Sequence, residues 1–128
     1  MAEKYAAKAA WAKANPEKAA KLEMFFSGKV PEVNWAAIEQ KAGVATRAAS
    51  ATVLSALATQ VENMIVASAD LSNSDKTDGF LKKTHAFKKG DFSGAFFQAG
   101  VAELTMACCC IGMALHGGVI PACGTFFV

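Results

Sequence analysis

Two carboxylates stand where an open parallel sheet would gather its chemistry. Asp70 follows the apolar run Met64 to Ala67, and Glu103 follows Phe96, Phe97 and the break at Gly100. If both runs are strands, each acid lies at a strand's carboxyl end or at the start of the helix that follows, where such folds collect functional groups. A carboxylate there is equipped to exchange a proton or to face a cation. Each also has a plainer reading, Asp70 as a helix cap or loop acid and Glu103 as a first-turn glutamate facing the helix dipole. Other reactive side chains point to less. Cys108, Cys109 and Cys110 are consecutive, so on a helix they diverge and suit neither a disulfide framework nor a tetrahedral metal site. With Cys123 they read as small buried hydrophobes. His85 reads as a loop residue and His116 as a helix-end residue, and neither is assigned a role.

The elements that position the two acids follow from pattern. From Glu3 to Phe26 the chain is rich in Ala, Lys and Glu, and Pro16 opens the second of two short helices. Ser27 to Pro31 is turn chemistry, and Glu32 to Lys41 is expected to form a short helix stopped by Gly43. Thr46 is expected to cap a helix carrying Val53, Leu54, Leu57 and Val61 at spacings of three and four. Met64 to Ala67 reads as a buried parallel strand and Phe96 to Ala99 as a second. Between them, Leu71 to Gly94 has no sustained period and is expected to be a long functional loop. Val101 to His116 is expected to be a helix buried on most sides, ended by Gly117 and Gly118. Val119 to Val128 carries strand-like residues interrupted by Pro121 and Gly124, so the chain is expected to be truncated within a strand. Alternating helix and strand argue an α/β fold with a parallel sheet.

Bulk properties narrow the classes. A chain of 128 residues, 53% hydrophobic and 19% charged, is globular in composition and fits one modest domain. A net charge of +2 with scattered lysines lacks the basic footprint of a nucleic-acid binder, so no DNA or RNA partner is expected. Met106 to Leu115 is about half of the roughly 20 residues a bilayer span needs, so no membrane association is expected. The opening MAEKYAAKAAWAKANPEKAAK lacks a secretory core and cleavage site, which leads to a cytoplasmic address.

Six strings then combine: VATRAAS (Val44 to Ser50), ASADLSNSDKT (Ala67 to Thr77), KGDFSG (Lys89 to Gly94), GVAE (Gly100 to Glu103), GMALHGG (Gly112 to Gly118) and ACGTF (Ala122 to Phe126). In this order they resemble the first half of the pyrimidine-binding domain of transketolases, thiamine-diphosphate enzymes that move two-carbon ketol units between sugar phosphates. The resemblance covers about Asn15 to Val128. It implies a partial parallel-sheet domain over residues 44–128, truncated at its C-terminus, preceded by a helical connector over residues 1–43 that arrives from a diphosphate-binding domain.

The same resemblance implies roles. Glu103 matches the catalytic glutamate that hydrogen-bonds N1′ of the cofactor's aminopyrimidine. Asp70 matches an aspartate near the cationic thiazolium, and Phe126 a phenylalanine stacked on the pyrimidine ring. Arg47 and Ser74 match residues linked to the substrate's phosphate, a fitting guanidinium and hydroxyl pair. The implied cofactor is thiamine diphosphate with a divalent metal, Mg or Ca, whose diphosphate and metal sites lie outside this chain. The implied partners are sugar phosphates and a second subunit in a homodimer, and the 128-residue chain alone is expected to be inactive. Where the family string places arginine and histidine beside the glutamate, Ala102 and Leu104 flank Glu103. GVAE also resembles other thiamine-dependent enzymes, such as a deoxyxylulose-phosphate synthase or a 2-oxo-acid dehydrogenase subunit. A non-catalytic interaction module is the third alternative.

Overall fold

A computed structural model describes residues 1–126 of the chain. Two helices open it, α1 (Ala2–Ala14) and α2 (Pro16–Phe26), divided at Asn15 with Pro16 in the first turn of the second. Proline fits there because its missing N–H is one of the donors a helix start leaves unpaired anyway. The expected helix over Glu32 to Lys41 shrinks to one 3-10 turn, Trp35–Ala37. This stretch has no sustained apolar stripe to hold a longer helix against the body.

The body is a three-stranded parallel sheet in the order β2-β1-β3, with β1 (Met64–Ser68) central, β2 (Phe96–Gln98) and β3 (Ile120–Gly124) at its sides. Helix α3 (Thr46–Gln60) precedes β1, and α6 (Glu103–His116) joins β2 to β3. Thr46 is the first residue of α3 and makes no capping bond; Ala45 holds the cap position. One core cluster joins Val61, Met64, Val66, Phe80 and Phe96, with Leu54 and Leu57 of α3 packed on it. A second, on the other face, joins Ala67, Ala69, Met106 and Cys110. Alternation along β1 thus divides its side chains between α3 and α6.

Three expectations are corrected. Leu71 to Gly94 is not a structureless loop. It contains the one-turn helices α4 (Ser72–Asp75) and α5 (Asp78–Leu81), the latter driving Phe80 into the core. Helix α6 is not buried on most sides: only Met106 and Cys110 are buried, while Leu104, Ile111 and Leu115 are 79%, 59% and 83% exposed. For the same reason Cys108 and Cys109 are exposed; Cys123 on β3 is exposed too, and only Cys110 is buried. Residue type sets what a side chain tolerates, whereas burial depends on what packs against it. Strand β3 ends at Gly124, with Thr125 and Phe126 beyond it; the remainder of the expected strand, Phe127 and Val128, lies outside the described residues.

The amino-end edge of the sheet is tied to the opening helices. Asn63 Nδ2 donates to the Gly118 carbonyl at 3.1 Å, and Lys21 pairs with Glu62 at 2.9 Å. Phe26 of α2 lies over Gly118, where a Cβ would sit 2.8 Å from the ring, and meets His116 edge-on at 5.8 Å. Among the described residues no helix is long and apolar enough to cross a membrane.

Candidate functional site

Parallel strands in register end together. Ser68 pairs across to Gln98 of β2 and to Gly124 of β3, so the carboxyl ends of all three strands form one edge. Asp70 leaves β1 there and Glu103 begins the helix after β2. Both side chains are exposed. The ion pairs among the described residues are Lys21–Glu62, Lys82–Asp78 and His85–Asp91, and neither carboxylate enters one. Asp70 takes a left-handed backbone, φ 63°. Aspartate tolerates that region better than most residues, and strain of this kind clusters at functional sites.

Arg47 and Ser74 arrive from different elements, the first turn of α3 and the α4 turn. They meet: Arg47 Nη1 donates to the Ser74 carbonyl at 3.4 Å. Arg47 lines a cavity of about 420 Å³ with Thr46, Ser50, Asp75, Thr77 and the Gly124 end of β3. Asp70 and Glu103 share the edge and do not line this cavity. Phe126 follows β3 on the same edge and is 43% exposed, its ring free on part of its surface to stack.

A polar network with little local sequence signature supports this edge. Ser68 Oγ donates to Asp75 Oδ2 at 2.8 Å, and the Leu71 N–H donates to Ser68 Oγ at 3.2 Å. Thr77 gives both its N–H and its hydroxyl to Asp75 Oδ1, each at 2.8 Å. Ser68 and Thr77 are buried. The signal available in the sequence was the Asp75-Lys76-Thr77 spacing, since an aspartate readily accepts from the backbone two residues on. Its reach back to Ser68 carries no local signature.

The two histidines are not brought to this edge. His85 contacts Ser93 Oγ at 3.0 Å, and His116 lies against the following Gly117 carbonyl. Among the described residues no group of three His, Cys, Asp or Glu is placed to hold a metal ion.

The family model described as transketolase, pyrimidine binding domain, matches residues 42–128. A transketolase of Halalkalibacterium halodurans is 40% identical over 124 residues, covering 94% of this chain and 18% of the relative. One of Bacillus subtilis is 39% identical over 117 residues, covering 88% of this chain and 17% of the relative. Among solved structures, a transketolase from Leishmania mexicana superposes with a TM-score of 0.80 at 29% identity, over 93% of this chain and 18% of that one. The chain therefore spans less than a fifth of the length of these relatives.

Proposed function

The chain belongs to the transketolase family through the pyrimidine-binding domain it matches, and from that membership we propose that the complete protein carrying it transfers a two-carbon ketol unit from a ketose phosphate to an aldose phosphate. The observation that carries this reading is the common edge: Asp70 and Glu103 leave adjacent parallel strands on the same side, both exposed and outside every ion pair of the described residues.

The family implies thiamine diphosphate, and these residues suit its organic end. A carboxylate at the start of α6 with no ion-pair partner among the described residues fits a ring nitrogen that shares a proton, and a second fits a cationic ring. A half-exposed aromatic at Phe126 fits a flat heterocycle. When bound, thiamine diphosphate supplies the carbanion chemistry that no amino-acid side chain offers. Glu103 would hold the proton at N1′, Asp70 would favour the positive charge of the thiazolium, and Phe126 would exclude water from one ring face. Arg47 and Ser74 would bind the sugar's phosphate through charge-assisted hydrogen bonds.

In this proposal the diphosphate and its divalent metal, Mg or Ca, are held by residues outside this chain. The 128-residue chain alone then grips one end of the cofactor and is inactive. The working unit is a homodimer in the cytoplasm, with residues 1–43 as connector and 44–128 as the pyrimidine-binding portion.

The test is Glu103→Gln in the complete protein. Exchange of the cofactor's C2 proton, followed by NMR, should slow about a hundredfold, with cofactor affinity little changed. Unchanged exchange removes Glu103 from its role.

A further inference from the structure

Asp75 is surrounded by donors. It takes hydrogen bonds from the Ser68 hydroxyl, the Thr77 N–H and the Thr77 hydroxyl, all at 2.8 Å. A carboxylate so engaged has little capacity left for a substrate or a metal. It does something else: it bonds its own turn to the end of the central strand, with the end of β3 packed beside it. Ser68 ends the central strand, Thr77 opens α5, and Gly124 ends β3, where a Cβ would lie 2.6 Å from Thr77 Cγ2 and 3.5 Å from Asp75 Oδ2. The residue beside Asp75 is Ser74, whose carbonyl accepts the Arg47 guanidinium. Arg47, Asp75 and Thr77 line one cavity.

The one-turn helix α4 cannot hold this geometry by itself. It is four residues long, makes no capping bond, and is followed by Lys76 in a left-handed conformation, φ 68°. Single turns are unstable without tertiary support, and here that support is the bond from Asp75 to the buried strand end. We propose that Asp75 is a positioning residue for the phosphate-binding pair, fixing the Ser74 turn against Arg47 so that guanidinium and hydroxyl converge on one anion. The inference rests on the assignment of Arg47 and Ser74 to a sugar phosphate.

The chemistry predicts which replacements are tolerated. In Asp75→Asn the amide oxygen still accepts from Thr77 and the amide nitrogen can donate to Ser68 Oγ, which already accepts the Leu71 N–H, but the buried Ser68 O–H loses the acceptor it had in Asp75 Oδ2. In Asp75→Ala all three bonds are lost. Thr77→Val removes one donor at nearly constant volume and serves where Asp75→Ala fails to fold.

The experiment is steady-state kinetics on the complete protein, comparing a phosphorylated ketose with the unphosphorylated ketose, and with Arg47→Ala as reference. Asp75→Ala should raise KM for the phosphorylated ketose about tenfold with kcat within about twofold, leaving the free sugar unaffected. Thr77→Val should shift the same KM about threefold, and Asp75→Asn, which keeps the Thr77 bonds, should fall between the wild type and Asp75→Ala. If Arg47→Ala is selective for the phosphorylated sugar but Asp75→Ala and Thr77→Val impair both sugars alike, or neither, the positioning role is overturned and the phosphate site stands. If Arg47→Ala itself weakens both sugars equally, the phosphate site falls and the inference falls with it.

Discussion

Phe26 lies directly over Gly118: a Cβ at that glycine would come within 2.8 Å of the ring's Cζ and 2.9 Å of Cε2, and the backbone there has φ +82°. Glycine is required there for conformation, and the ring of half-exposed Phe26 covers the space a Cβ would take and would have to move aside. Gly118→Ala should destabilise the protein by about 2 kcal/mol, read from urea unfolding. In a Phe26→Ala background the substitution should cost only the backbone part, about 1 kcal/mol. An equal cost in both backgrounds would show that the ring and the glycine do not meet.

Phe80 anchors the connection between β1 and β2 in the core. It is 1% exposed on α5 and sits in the cluster with Val66 and Phe96. Phe80→Ala should cost about 3–5 kcal/mol by leaving a cavity. Leu104→Ala on exposed α6 should stay within about 0.5 kcal/mol. Chemical denaturation of the two variants under one condition decides the order.

The thiols should separate by reactivity. Burial pushes the Cys110 thiol up to about 11, with neighbouring Cys123 adding to the rise, whereas Cys108, Cys109 and Cys123 are exposed. A disulfide reagent at pH 8 should therefore modify three thiols rapidly and the fourth only on unfolding. The raised value also means that Cys110 stabilises the fold below its unfolded pKa, and that this contribution is lost as pH rises toward the folded one. Four equally fast thiols would contradict the placement of α6.

Asp91 behaves in the opposite sense. The Ser93 hydroxyl, at 2.6 Å, and then the Ser93 N–H hold its carboxyl below the usual 3.8, with His85 and Lys88 adding smaller attractions. Its contribution is present above the unfolded pKa and is lost as pH falls through the folded one. Ser93→Ala should move the carboxyl titration, followed by NMR, upward toward the ordinary value. No movement would mean that the loop bond is not held in solution.

Arg47→Lys keeps the charge and discards the planar fork. In the complete protein it should weaken a phosphorylated sugar about tenfold with little change for the free sugar, as judged by the ratio of the two KM values. Full retention of that ratio would leave Arg47 acting as a simple charge.

Strands and long helices are legible because apolar residues recur at the period of the element that carries them, whereas the cover over an element is not, as exposed Leu104, Ile111 and Leu115 of α6 show. Val53, Leu54, Leu57 and Val61 announced α3, and Phe96 announced β2. The one-turn helices escaped because four residues are shorter than any period that could reveal them. Glu32 to Lys41 was overread because helix-forming residues do not supply a surface to pack against. Arg47, Asp70, Ser74, Glu103 and Phe126 of the proposed site are named by motif order alone. Asp75 is not, because its bond to Ser68 joins a strand end to a later turn and leaves only a local Asp-x-Thr trace.

Helix α6 carries the Phe26 contact near its carboxyl end and Glu103 at its amino end. Its 14 residues make a rod about 20 Å long. Phe26 and Glu103 therefore stand at opposite ends of one helix, and the opening helices touch the same element that carries the acid.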